Sequence, residues 1–287
     1  MRATGRPARP GPSLGAIGPP GRLVLAATGA AGARALLSAA GRADRPAGRL
    51  IRTNYAGRPV GLIAGPVMAV VGSLTAYAAA PGTAVGRSAL LVGLAGGLAG
   101  AVDDLADAAP DKGVAGHLAA LHHGRITTGL VKAVGLSVAG VLAAGPVATG
   151  PAERLVAGGL IAGSANLVNL FDLRPGRALK VTLLVALPLV PTSAGRILAG
   201  PMGAAAALLP ADLAEQTMLG DTGANAVGGL VGLALSTVVG RRGRAGALAA
   251  VTGLTVASEV VSFSAVIART SWLRRLDRIG RGSPAAC

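Results

Sequence analysis

Charge is scarce in this chain. Only 14% of its 287 residues are Asp, Glu, Lys or Arg, against roughly 25% in soluble globular chains. Such a deficit is what a lipid-facing surface produces, because charge is costly in hydrocarbon. Aromatic residues make up 2%, too few for the stacking platforms of nucleic-acid binders, and no nucleic-acid reading motif is present. The one cysteine is Cys287, which excludes an internal disulfide and a cysteine metal site. The chain is rich instead in apolar residues, at 52%, with a mean hydropathy of +0.60. Its net charge of +15 is clustered between apolar runs. That placement favours membrane orientation and phosphate binding over nucleic acid.

The chain divides into a basic tail over residues 1–22, an apolar domain over 23–268 and a second basic tail over 269–287. The first apolar run, Leu23–Ala40, has the basic flank and closing alanines of a signal peptide. Arg34 inside it, and the runs that follow, favour a first marginal transmembrane helix. Further runs are Val60–Ala80, Ser88–Val102, Thr128–Ala148, Leu155–Phe171, Val181–Val190, Ile197–Leu209, Thr222–Gly240 and Ala245–Ile267. The expected fold is therefore all-α: a polytopic integral membrane helical bundle of roughly nine transmembrane helices. Two runs, Val181–Val190 and Ile197–Leu209, are short for a span and suit broken or tilted helices. With Gly41–Pro59 in the cytoplasm, fifteen Lys and Arg fall on the cytoplasmic side and six on the other, the N-terminal tail aside. This is the positive-inside bias. The cluster Arg241, Arg242 and Arg244 runs against it.

Only 12 residues are acidic, and several fall at the ends of apolar runs assigned to one side. Asp103, Asp104 and Asp107 follow the run that ends at Val102, and helical spacing brings all three toward one site. Adjacent carboxylates repel unless a cation relieves them. Hard oxygen ligands suit Mg²⁺, commonly held by one or two carboxylates plus substrate phosphates; a solvated helix end is the alternative. Asn166 and Asn169 lie one turn apart before Asp172, where amides read a base or sugar, complete a metal shell, or join helices. Arg174, Arg177 and Lys180 follow at once, placed to bind phosphate or to anchor the chain at the membrane surface. Met218 to Asn225 opens another apolar run. In it Asp221 and Thr222 are good N-cap types, and Gly220 and Gly223 permit close backbone approach. A fourth group is His117, His122, His123 and Arg125. Adjacent histidines in a polar loop are more often exposed than catalytic, whereas Arg125 is a candidate phosphate contact.

The three acidic and amide motifs, in this order and on one predicted side, resemble the polyprenyl-phosphate N-acetylhexosamine-1-phosphate transferases. This is glycosyltransferase family 4, which includes phospho-N-acetylmuramoyl-pentapeptide transferase. The resemblance runs from Arg52 to Ile267. It implies attack of a polyprenyl phosphate on a UDP-sugar, with Mg²⁺, giving a lipid diphosphate sugar and UMP for cell-envelope polysaccharide. It also implies an active site facing the cytoplasm. Carried over, Asp103 and Asp104 match the aspartate pair near the lipid phosphate, and Asp221 matches the main Mg²⁺ ligand. Asp104 and Asp107 are further metal candidates, while Asn169 and Asp172 match the segment near nucleotide and metal. A homodimer is compatible with such a bundle.

The departures point away from the muramoyl-pentapeptide enzyme itself. The first cytoplasmic loop reads Arg52-Thr53-Asn54-Tyr55, Pro175 stands where a second aspartate is expected, and the region from Trp272 to Arg281 has no histidine. They leave open a non-catalytic paralogue that binds lipid-linked intermediates. An intramembrane prenyltransferase is a further alternative, although Asp221 lacks the second aspartate-rich motif such enzymes use.

Overall fold

The computed structural model describes residues 17–42, 50–106 and 113–281. Among the described residues the fold is all-α but for one small hairpin. In chain order the elements are α1 (Pro19–Arg42), β1 (Ile51–Thr53), β2 (Pro59–Gly61), α2 (Ala64–Ala78), α3 (Ala84–Leu105) and α4 (Gly113–His122). They continue with α5 (Thr128–Ala143), α6 (Pro151–Phe171), α7 (Arg177–Ala186) and α8 (Ala194–Leu213). The last four are α9 (Gly220–Val238), α10 (Arg241–Val260), α11 (Phe263–Arg269) and α12 (Ser271–Arg278).

Each of the nine apolar runs seats a helix, and the boundaries have local causes. Thr83 caps α3, its hydroxyl accepting the Gly86 N–H at 3.0 Å, and Thr127 caps α5 through the Leu130 N–H at 3.2 Å. Pro151 opens α6 at the position where a missing N–H is harmless. Among the described residues, α1, α3 and α6 are long and apolar enough to cross a membrane. A fourth candidate is α10 with α11, which a single apolar run had suggested to be one helix. The structure bends them by 87°. α2 and α5 are apolar but shorter, and α7 has 10 residues.

α9 is the centre of the bundle, packed by α2, α3, α6 and α8. Its interior side chains are small, so backbones approach closely, as helix association in lipid favours. Gly100 of α3 lies against the Asp221 carbonyl, where a Cβ would overlap it. These contacts bring the C-terminal ends of α3 and α6 to the N-terminal ends of α5 and α9. The hairpin closes that end: Met218 N–H donates to the Gly61 carbonyl at 2.8 Å, and Thr217 Oγ1 accepts the Ala64 N–H at 3.1 Å. At the other end, Arg196 donates to the Ala79 carbonyl and Arg244 to the Val147 carbonyl. Of the basic cluster that opposed the charge bias, Arg244 therefore ties α10 to the turn that follows α5.

Candidate active site at one end of the bundle

Two motifs distant in sequence, those of Asp103 and Asp221, meet on Lys132. This side chain rises from the second turn of α5. Its Nζ lies 2.7 Å from Asp103 Oδ2 and also contacts the Asp221 carboxylate. Thr128, one turn earlier, donates its hydroxyl to Asp103 Oδ1 at 2.8 Å. The side chains are 13% exposed for Lys132, 26% for Asp103 and 24% for Asp221. The cluster is thus half-sheltered and open enough to meet a ligand.

Asp104 has a different role from its neighbour. One oxygen accepts the Asp221 N–H at 3.0 Å; the other accepts the Thr222 N–H at 2.9 Å and the Thr222 hydroxyl at 2.7 Å. A carboxylate from α3 thereby caps α9, satisfying donors at a helix N-terminus and meeting the positive end of its dipole. The sequence suggested that Asp221 or Thr222 would be the cap; instead Asp221 lies in the first turn, and the cap comes from another helix. Gly220 makes this possible. It adopts φ +59, and a Cβ on it would sit 2.8 Å from an Asp104 oxygen. Arg52 holds the other partner in place, donating to the main-chain carbonyls of Asp103 at 3.0 Å and Asp104 at 2.7 Å.

Beside the cluster is a cleft of about 270 Å³ lined by Thr53, Asn54, Tyr55, Asp172, Arg174, Asp212, Glu215 and Met218, among others. Arg174 stacks on the Tyr55 ring with its guanidinium carbon 3.9 Å from the centroid, a cation–π contact. Glu215 receives Arg58 at 2.6 Å and also Asn54. Asp172 and Asp212 are buried, each with one carboxylate oxygen that has no partner among the described residues. Burial pushes the Asp172 carboxyl well above the ordinary carboxylate range, and the Asp212 and Asp221 carboxylates push it further.

The remaining sequence candidates are dispersed. Asn166 and Asn169 are half-buried on the last turns of α6. Arg177 is buried and turned away from the cleft, bidentate to Asp277 and donating to Ser264 at 2.9 Å. Lys180 donates to the Asp277 carbonyl at 2.7 Å. Both bases serve the C-terminal segment and are not brought to Asp103 and Asp221. Arg125 is exposed in the turn before α5, as are His122 and His123. Asp107 lies outside the described residues. Asn225 is fully buried, with neither amide atom partnered among the described residues, and it borders a void of about 10 Å³, room for about one water.

Lys132 and Asp212 were not singled out in the sequence. Lys132 carried a usable signal, as the only charged residue in the run Thr128–Ala148, since an ionisable group in such a run is functional by default. Asp212 closes an apolar helix and carried a weaker one.

Two carboxylates are the donors this cluster could offer a divalent cation, at the point Lys132 now fills. Asp103 and Asp221 converge on one positive charge, and Asp172 has an unsatisfied carboxylate oxygen nearby. Among the described residues no group of three His, Cys, Asp or Glu stands ready to hold a metal. An ion here would take two carboxylates and complete its shell from substrate oxygens or water, the usual arrangement for Mg²⁺. No protein-family model and no curated protein matches this chain.

Proposed function

We propose that this protein is a multi-pass membrane transferase that moves a sugar-1-phosphate, of the N-acetylhexosamine class, from a UDP-sugar to a polyprenyl phosphate, releasing UMP. The observation that carries this reading is the meeting of Asp103 and Asp221 on Lys132, with Asp172 and its cleft beside them. Asp103 of α3, Asp172 at the end of α6 and Asp221 of α9 gather at one bundle end, as the parts of one site would. The long apolar helices α1, α3 and α6, with α10 and α11 as a further candidate span, and the Lys and Arg at this end support a multi-pass chain with the site facing the cytoplasm.

Two phosphorylated substrates repel each other, so the site must offset their charge. Lys132 contributes one cation. Asp103 and Asp221 would hold Mg²⁺, which when bound neutralises charge on the phosphates and orients them. Asp104 fixes the first turn of α9 and so the position of Asp221; holding the reacting groups in place is a large part of such catalysis. Of the aspartate pair, Asp103 is the one that faces this cluster, since Asp104 is committed to α9. The cleft beside Tyr55, Arg174 and Asp172 suits the nucleotide: a cationic and aromatic rim over a polar floor. An apolar groove of about 750 Å³ between α7, α8, α10 and α11 suits a polyprenyl chain. Transfer of radiolabel from a UDP-N-acetylhexosamine into the lipid phase, dependent on polyprenyl phosphate and Mg²⁺, tests the reading and names the sugar.

One observation favours a second reading. The Lys132 ammonium pairs with both Asp103 and Asp221 and offsets one of their two charges, an arrangement that suits a non-catalytic paralogue that binds lipid-linked intermediates. UDP-sugar binding without label transfer would select it.

A further inference from the structure

We propose that α12 is an interfacial helix whose arginines bind anionic phospholipid headgroups. The proposal takes the bilayer from the membrane reading above but not the chemistry of the site. The sequence of α12 is sharply amphipathic. In helical projection Ile279, Trp272 and Leu276 fall on one arc, Arg275 at its border, and Arg274 and Arg278 on the far side. The apolar arc is not packed away: Trp272 and Ile279 are each 61% exposed and Leu276 is 41% exposed. Arg274, Arg275 and Arg278 are exposed too.

The remaining face ties the helix to the bundle. Asp277 pairs with Arg177 at 2.9 Å and with Arg281 at 2.9 Å, and Arg281 donates to the Pro175 carbonyl at 3.0 Å. Leu273 on this face lines the apolar groove, whose open edge is bordered by the exposed Leu276 and Ile279. This tether fixes α12 at the same bundle end as the aspartate site. The 87° bend after α10 turns the chain across that end instead of onward from it.

A helix held there, with tryptophan and isoleucine on one edge and exposed arginines on its flank, matches an interface partner. The apolar edge enters the acyl boundary, the indole sits at headgroup depth, and the guanidinium groups reach the phosphates. From residue 269 to 281 the chain carries five arginines against one acid, and that acid is already paired. Charge complementarity therefore selects an anionic lipid over a neutral one. Each basic residue near such a surface favours the anionic partner by roughly fivefold.

Trp272 is the only tryptophan, so intrinsic fluorescence of the full chain reports on this helix alone. Proteoliposomes would carry the same minor fraction of a brominated lipid, either phosphatidylglycerol or phosphatidylcholine. The expected result is severalfold stronger quenching of Trp272 by the anionic lipid at low salt. That preference should vanish at high salt and in R274E/R275E/R278E, and survive in R274K/R275K/R278K. Equal quenching by both lipids at low salt, or none by either, would overturn the proposal. UMP release in the same vesicles separates the two ideas: turnover with no lipid preference removes the α12 proposal alone. A preference without turnover supports it and leaves the transferase reading to fail.

Discussion

Lys132 on α5 is in ion-pair contact with both Asp103 on α3 and Asp221 on α9, at 2.7 Å from the first. One ammonium joins three helices and keeps two carboxylates from repelling each other. Replacing it by methionine leaves that repulsion uncompensated. Removal of one partner from a fully buried pair costs about 3–5 kcal/mol. Here the carboxylates are about a quarter exposed, so a loss of about 2 kcal/mol is expected after solvent screening. Mg²⁺ should restore part of it. Thermal unfolding in detergent, with and without Mg²⁺, should show a larger metal-induced rise in Tm for K132M than for the wild type.

Asp104 is expected to act through α9 and not on substrate. D104A leaves two main-chain N–H groups and a hydroxyl without their acceptor. Loss of such a cap costs about 1–2 kcal/mol. Hydrogen exchange should rise at residues 220–223 and stay unchanged at the far end of α9. G220A should produce the same local fraying, because φ +59 and the Asp104 oxygen 2.8 Å from a Cβ both oppose the new side chain.

Asp172 predicts a trade between stability and function. Its folded-state pKa is raised, so the native state holds the proton more tightly than the unfolded chain. The stability linked to it is full below the ordinary value of 3.8 and is lost as pH rises through the folded value. D172N removes this loss. Without divalent metal, the variant should gain stability over the wild type at about pH 8, and little of that gain should remain near pH 4. If Asp172 serves the nucleotide or the metal, label transfer falls in the same variant.

Asp277 has the opposite sign. Burial alone would raise its carboxyl, but the hydrogen bond and charge of Arg177, with Arg281 and Lys180, hold it below the ordinary range. Its contribution is present above 3.8 and is lost as pH falls through the folded value. Acid should therefore loosen α12 in detergent, seen as a change in Trp272 emission below about pH 4. D277N should show the loosened emission at neutral pH and no further acid transition.

Much of the helical layout was legible in the sequence, because apolar length and clustered charge survive without tertiary information. Every predicted run seats a helix, and Asp103, Asp172 and Asp221 do lie at one end. What was hidden depends on contacts between distant segments. Nothing local distinguishes Asp103 from Asp104, yet one faces Lys132 and the other caps α9. Arg177 reads as a phosphate ligand until Asp277, a hundred residues later, is seen to hold it. The bend between Val260 and Phe263 lies inside one apolar run with no Gly or Pro to mark it.

The central claim is tested most directly by UMP release from purified protein given polyprenyl phosphate, Mg²⁺ and a panel of UDP-N-acetylhexosamines, beside D221N. The account predicts release that requires both lipid and metal and falls by orders of magnitude in D221N. Folded wild-type protein that releases no UMP from any donor, or D221N that releases it at the wild-type rate, would contradict it.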